Sequence, residues 1–193
     1  MPALNPKTTA LVMIDLQQGL VSMSLAPLSG EQVAQAGIAL AQRFRAAGAL
    51  VAAVQVGWSS DLADMPPQNV DRRIVLPEGS LPANYSELVD GVTQTGDIRI
   101  TKHHWNALHD TELHLQLRRR GIKTIVLCGI ATNFGVESTA RHAWELGYEV
   151  VIVKDACSTF SAELHDMAVQ HVFPRIARVC SADQINFDGE LIS

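Results

Sequence analysis

Ala10-Leu11-Val12-Met13-Ile14-Asp15 is an unbroken apolar run closed by a carboxylate. A strand with one wet face alternates apolar and polar residues. A continuous run of this length suits a strand buried on both faces of a parallel sheet. Leu50 to Val56 repeats the pattern, as do Thr124-Ile125-Val126-Leu127-Cys128 before Gly129, and Val150-Val151-Ile152-Val153 near Asp155. Asp97 to Thr101 and Ala177-Arg178-Val179-Cys180 are shorter and more polar versions.

Helical patterns separate these runs. Gln32 to Ala47 places Val33, Ala36, Leu40 and Phe44 on one face, with Gly48 as a stop. Thr111 to Arg120 brings Leu113 and Leu117 together. Val136 to Leu146 carries Ala140, Ala143, Trp144 and Leu146, and Gly147 follows. Ser161 to Val172 has Leu164, Ala168 and Val172 in step, with Pro174 beyond. Strand–helix alternation implies an α/β fold with right-handed crossovers and a sheet covered on both sides. Met65 to Pro82 holds four prolines and no periodicity, and is expected to be a long surface excursion, a lid or a subunit contact.

The 193 residues, 47% hydrophobic and 18% charged, suit one domain spanning 1–193. A net charge of -5 offers no phosphate-binding face, so no nucleic-acid partner is expected. The one basic run, Arg118-Arg119-Arg120, reads as the last turn of a helix. No stretch approaches the roughly 20 apolar residues of a membrane helix, and the N-terminus lacks the pattern of a signal peptide. Cys128, Cys157 and Cys180 are odd in number and widely spaced, so a cytoplasmic protein without disulfides is expected.

Ligands of open parallel sheets bind outside the carboxyl ends of the strands. Three such ends carry candidate chemistry: Asp15, Lys102 and the turn Gly129-Ile130-Ala131-Thr132-Asn133-Phe134-Gly135. A carboxylate at the tip of a buried strand is costly unless paired. Asp15 is therefore either a general acid or base or a cap for the next helix. Lys102 either holds Asp15 in a charge pair or is a solvated cation. The turn leads into a helix N-terminus, whose N–H groups suit an oxyanion or carboxylate. It lacks the lysine of a phosphate loop. His103, His104 and His109 have poor metal-ligand spacing, so no metal is expected. Trp58 and Trp105 are either walls for a planar substrate or part of a core or interface. Cys128 reads as a buried structural thiol, and Cys157 as structural or as a thiol bordering the site.

Taken in order, Thr9-Ala10-Leu11-Val12-Met13-Ile14-Asp15-Leu16-Gln17, Thr101-Lys102, the turn from Cys128 to Arg141, Asp155-Ala156-Cys157-Ser158 and Ala162-Glu163-Leu164-His165 resemble the isochorismatase-like hydrolases over nearly the whole chain. That superfamily includes isochorismatases, nicotinamidases and N-carbamoyl-amide hydrolases. The resemblance implies a Rossmann-like three-layer α/β/α sandwich, with a six-stranded parallel sheet ordered 3-2-1-4-5-6. It also implies a small-molecule substrate and a homo-oligomer; the residues themselves lead to the expectation of no cofactor. The Asp and Lys of the cysteine hydrolases' triad fall on Asp15 and Lys102, and the Cys position falls on Gly135. A cis peptide would fall at Ile130-Ala131, with the N–H groups of Ala131 and Gly135 as the oxyanion hole.

Gly135 has no side chain, so no thioester can form there. True isochorismatases also lack the cysteine, and hydrolysis of their vinyl ether needs only protonation and water. Ala131-Thr132-Asn133, however, departs from their Tyr-Ala-His form. The segment Val56-Gly57-Trp58-Ser59-Ser60-Asp61 lacks the histidine of a nicotinamidase metal site. The expected function is hydrolysis of a small polar or carboxylated metabolite without a covalent intermediate. Asp15 would be the acid or base, Lys102 its partner, and Ala131 and Gly135 the oxyanion donors. Two alternatives stand: attack by Cys157, and a catalytically degenerate chain that binds a small molecule or partner.

Overall fold

The computed structural model describes residues 3–73 and 81–187. Six strands, β1 (Thr9–Ile14), β2 (Leu50–Val56), β3 (Ile98–Lys102), β4 (Thr124–Ile130), β5 (Glu149–Ser158) and β6 (Arg178–Cys180), form one sheet. The pairings among these six strands are parallel, in the order β3-β2-β1-β4-β5-β6. Helices flank the sheet, giving the Rossmann-like three-layer α/β/α sandwich. They are α1 (Gln18–Val21), α2 (Gly30–Ala46), α3 (Leu113–Arg119), α4 (Glu137–Glu145) and α5 (Ala162–Met167).

The central strands are buried along their whole length, as their unbroken apolar runs require. β1 lies between β2 and β4, with Ile14 opposite both Val54 and Gly129. Gly129 has φ +121°, and a Cβ there would come 2.0 Å from the Ile14 carbonyl oxygen. Only glycine allows β4 to pass the tip of β1 this closely. α2 starts with a capping box, in which Ser29 accepts from the Gln32 N–H and Gln32 reciprocates. Its buried face of Val33, Gly37, Leu40 and Phe44 packs across β1, β2, β4 and β5.

Three helical and strand expectations are corrected. β5 runs on to Ser158 because of an irregularity in its pairing with β4. Between the Leu127–Ile152 and Gly129–Cys157 pairs, β4 advances two residues and β5 five. In the third inter-strand helix, Trp144 and Leu146 face solvent, whereas Ala140 and Ala143 are buried. In α5, Leu164 is exposed and His165 is buried. A π-helical turn from Ala168 to Val172 follows α5 and shifts the phase of the apolar face.

The described part of the 65–82 excursion has no helix or strand, and residues 74–80 lie outside the described residues. Among the described residues, no helix is long and apolar enough to cross a membrane.

Candidate functional site

Lys102 is the last residue of β3. Strand alternation puts Ile98, Ile100 and Lys102 on one face, and Ile100 and Lys102 are buried. Lys102 pairs with Val56 of β2, so its side chain has to cross the end of β2 to meet β1. There Nζ donates to Asp15 Oδ2 at 2.7 Å, with both side chains almost fully buried. Asp15 has φ +54°, a left-handed conformation that aspartate tolerates better than most residues. Asp15 caps nothing: the N-cap of α1 is Gln17, and it makes no side-chain cap bond. Of the alternatives open in the sequence, the charge pair is the one formed.

Asp15 Oδ1 is buried and has no hydrogen-bond partner among the described residues. Burial lifts the carboxyl from its ordinary 3.8 to about 6, against the opposing charge and hydrogen bond of Lys102. The pair thus holds a carboxyl that changes protonation state close to neutral pH, with one oxygen free.

The turn after β4 is the second component. The Ile130–Ala131 peptide bond is cis. Thr132–Val136 forms a π-helical turn that runs into α4. Three side-chain hydrogen bonds brace it. Thr132 Oγ1 meets His165 Nδ1 of α5 at 2.9 Å, Thr159 Oγ1 donates to Asn133 Oδ1 at 2.6 Å, and Thr139 Oγ1 donates to the Gly135 carbonyl at 2.7 Å. The Ala131 carbonyl accepts from the Phe134 and Val136 N–H groups, and its own N–H has no acceptor among the described residues. A Cβ on Gly135 would lie 3.4 Å from Asp15 Oδ2 and 2.9 Å from the γ2 methyl of Ile14. Position 135 therefore adjoins the acid, and the Ile14 methyl crowds the start of any side chain there.

Asp15, Trp58, Lys102, Trp105, Ala131 and Gly135, far apart in sequence, line one cavity of about 310 Å³. That is the lower end of the range for small-ligand sites. Trp58 donates Nε1–H to the His103 carbonyl at 2.8 Å. Trp105 is more than half exposed and meets Phe134 edge-on at 4.9 Å. Sequence reasoning missed Tyr85, Phe134, Phe160 and Arg72, which also line the cavity. Arg72 and Pro66 come from the proline-rich excursion.

The relocated-thiol alternative does not fit this geometry. Cys157 is fully buried in β5, opposite Gly129, and does not line the cavity. Burial pushes its thiol up to about 12, far from a thiolate at neutral pH. Cys128 is equally buried, and its thiol is raised by burial as well. Among the described residues, no three His, Cys, Asp or Glu side chains converge as a metal site.

A parallel sheet in this order, with a buried acid–cation pair and a braced turn at its carboxyl edge, defines an α/β enzyme scaffold. Residues 9–184 match the isochorismatase domain. The chain belongs to the isochorismatase family, a family of hydrolases. It is 51% identical over 183 residues to YecD, an uncharacterized isochorismatase family protein of Escherichia coli O157:H7, covering 94% of this chain and 96% of the other. The solved structure of an isochorismatase family protein from Burkholderia thailandensis matches with a TM-score of 0.88 and 42% identity, over 95% of this chain and 96% of that one. A ureidoacrylate amidohydrolase of Caulobacter vibrioides is 32% identical over 174 residues, 79% of this chain and 77% of the other.

Proposed function

We propose that the chain hydrolyses a small polar or carboxylated metabolite by acid–base chemistry, without a covalent enzyme intermediate. The observation that carries this reading is the free Oδ1 of Asp15. It is a buried carboxyl oxygen with no protein partner, on a group lifted to about 6, in the wall of the cavity.

Asp15 moves the proton. Protonated Asp15 gives its proton to the substrate atom that receives the electrons of the breaking bond. Water adds to the electrophilic carbon, and its surplus proton returns to Asp15. Lys102 binds Oδ2 and leaves Oδ1 unpartnered, and its charge attracts a substrate anion. The N–H groups of Ala131 and Gly135 hold negative charge developing on a substrate oxygen. Gly135 has no nucleophile to offer, so the bond-forming atom is the water oxygen. Trp58 and Trp105 are walls for the substrate body.

The test is a screen over amides, esters and vinyl ethers with the wild type and Asp15→Asn. The variant is nearly isosteric, and asparagine also accepts the left-handed backbone at this position. Turnover in the wild type and its loss in folded Asp15→Asn support the reading. A variant as active as the wild type sinks it. Binding without turnover of any of the three classes favours a catalytically degenerate binder.

A further inference from the structure

α5 buries one residue, and that residue is a histidine. Leu164 and Met167 of the same helix are exposed, while His165 is 6% exposed. The helix is seated by Ser161, whose side chain accepts from the Leu164 N–H and whose carbonyl accepts from the His165 N–H. An apolar face would have turned Leu164 inward. The place goes instead to an imidazole whose Nδ1 meets Thr132 Oγ1 at 2.9 Å.

Thr132 follows Ala131 directly and opens the π-helical turn that ends beside Gly135. It is fully buried, and His165 is the one hydrogen-bond partner of its hydroxyl among the described residues. The other two braces are of a different kind. Thr139 belongs to α4, the continuation of the turn itself, and Thr159 holds a side chain, that of Asn133. His165 reaches the turn from a separate helix, at its first residue. Burial lowers the affinity of His165 for a second proton, with Asp166 opposing and Lys154 assisting. The ring is therefore neutral at pH 7, with one nitrogen to accept and one to donate. Leaving either group of this buried pair unpartnered is costly, so the bond fixes where the turn begins.

We propose that His165 is a positioning residue: through Thr132 it sets the turn so that the N–H groups of Ala131 and Gly135 meet developing negative charge. The inference rests on reading those two N–H groups as the anion-stabilising part of the site. His165 does not line the cavity and acts only through Thr132. Donors aimed at a transition-state charge lose their effect when displaced by a fraction of an ångström.

The test pairs bond-breaking with bond-keeping variants. Thr132→Val removes the hydroxyl and keeps the shape, whereas Thr132→Ser keeps the hydroxyl. His165→Leu removes the ring nitrogens, whereas His165→Asn places an amide where Nδ1 stands. On the substrate that the screen identifies, Thr132→Val and His165→Leu are each expected to lower kcat about tenfold, less than outright loss of a donor. KM is expected to change less than twofold, since the effect falls on the transition state. The double variant is expected to be no slower than either single one, because both remove the same bond. Thr132→Ser and His165→Asn are expected to recover most of the lost kcat.

A second readout needs no turnover. The 15N–1H resonance of Gly135 at pH 7 is expected to move in Thr132→Val and to return towards its wild-type position in Thr132→Ser. A merely structural contact would lower the melting temperatures and leave kcat of the folded variants and the Gly135 resonance unchanged, and that result overturns the proposal. So does a double variant whose loss is the product of the two single losses. If His165→Leu fails to fold, the nearly isosteric Thr132→Val decides. If no substrate is turned over, the hydrolytic reading fails on its own, and the Gly135 resonance decides whether His165 sets the turn.

Discussion

Lys102 Nζ crosses the end of β2 to reach Asp15 Oδ2 at 2.7 Å, and Asp15 Oδ1 is left without a partner. Removing one partner of such a buried pair exposes what the other was doing. Lys102 lowers the Asp15 value that burial raises. In Lys102→Met the carboxyl should therefore titrate above the wild-type value of about 6. The expected rise is roughly one to three pH units, the range an adjacent cation commonly supplies. A 13C-carboxyl NMR titration of Asp15 measures it directly. The same displacement is expected in the inflection of kcat/KM against pH for whichever substrate the screen finds. An Asp15 that titrates at the same pH in both proteins would show that Lys102 does not govern it.

The same carboxyl makes stability depend on pH. Its folded value is raised above its unfolded one, so folding favours the protonated form. The contribution is fully present below about 3.8 and is lost as the pH rises through about 6. The gap corresponds to something on the order of 3 kcal/mol. Asp15→Asn lacks this titration and keeps an unpaired Lys102 at every pH in that window. Urea unfolding at pH 4 and at pH 7 should show the wild type losing ground to the variant as the pH rises. A stability difference that stays constant between the two pH values would contradict the burial account.

The residues legible from sequence share one property: each sits at the carboxyl end of a predicted strand or in the turn after one. Asp15, Lys102, Ala131 and Gly135 could be placed together because strand ends converge at one edge of a parallel sheet. The six runs located the strands, although β4 and β5 extend past the apolar residues that marked them. Tyr85 was invisible because its position comes from the side chain of Gln17 and the bare backbone of Gly19, and neither leaves a periodic trace. His165 was read only as part of a resemblance. A 3.6-residue period continued through the later π-helical turn put Leu164 on the buried face, which His165 in fact occupies. Local pattern locates elements, but it does not report the packing of irregular chain.

The three thiols should be bystanders. Cys128, Cys157 and Cys180 are all buried, and burial raises each thiol above its ordinary value. Iodoacetamide at pH 7 should modify the folded protein slowly and leave turnover intact, with mass spectrometry reporting the extent. Cys157→Ala should keep its activity and show only a modest fall in melting temperature, because the change opens a small cavity in β5. Loss of turnover in Cys157→Ala, with the fold retained, would restore the thiol to the mechanism.

Gly135 carries the sharpest prediction, because sterics and chemistry pull against each other there. Its φ lies outside the left-handed range, so the backbone accepts a side chain. Space is the obstacle: a Cβ would stand 2.9 Å from the Ile14 γ2 methyl, in a core with little room to yield. Gly135→Ala should fold with a loss of roughly 1–3 kcal/mol, the usual cost of overpacking. Gly135→Cys should show a similar loss, and its sulfur would enter a site whose wall is Asp15, paired with Lys102. Asp15, whose Oδ2 lies nearest to position 135, can take the thiol proton, and the cation then stabilises the thiolate. Alkylation of Gly135→Cys at pH 7 should therefore outpace that of every native cysteine, and peptide mapping should place the adduct at position 135. Adding Asp15→Asn should slow the reaction by removing the proton acceptor. If the introduced thiol alkylates no faster than the native cysteines although the variant folds, position 135 does not communicate with the pair. The placement of the oxyanion site beside Asp15 would then be wrong.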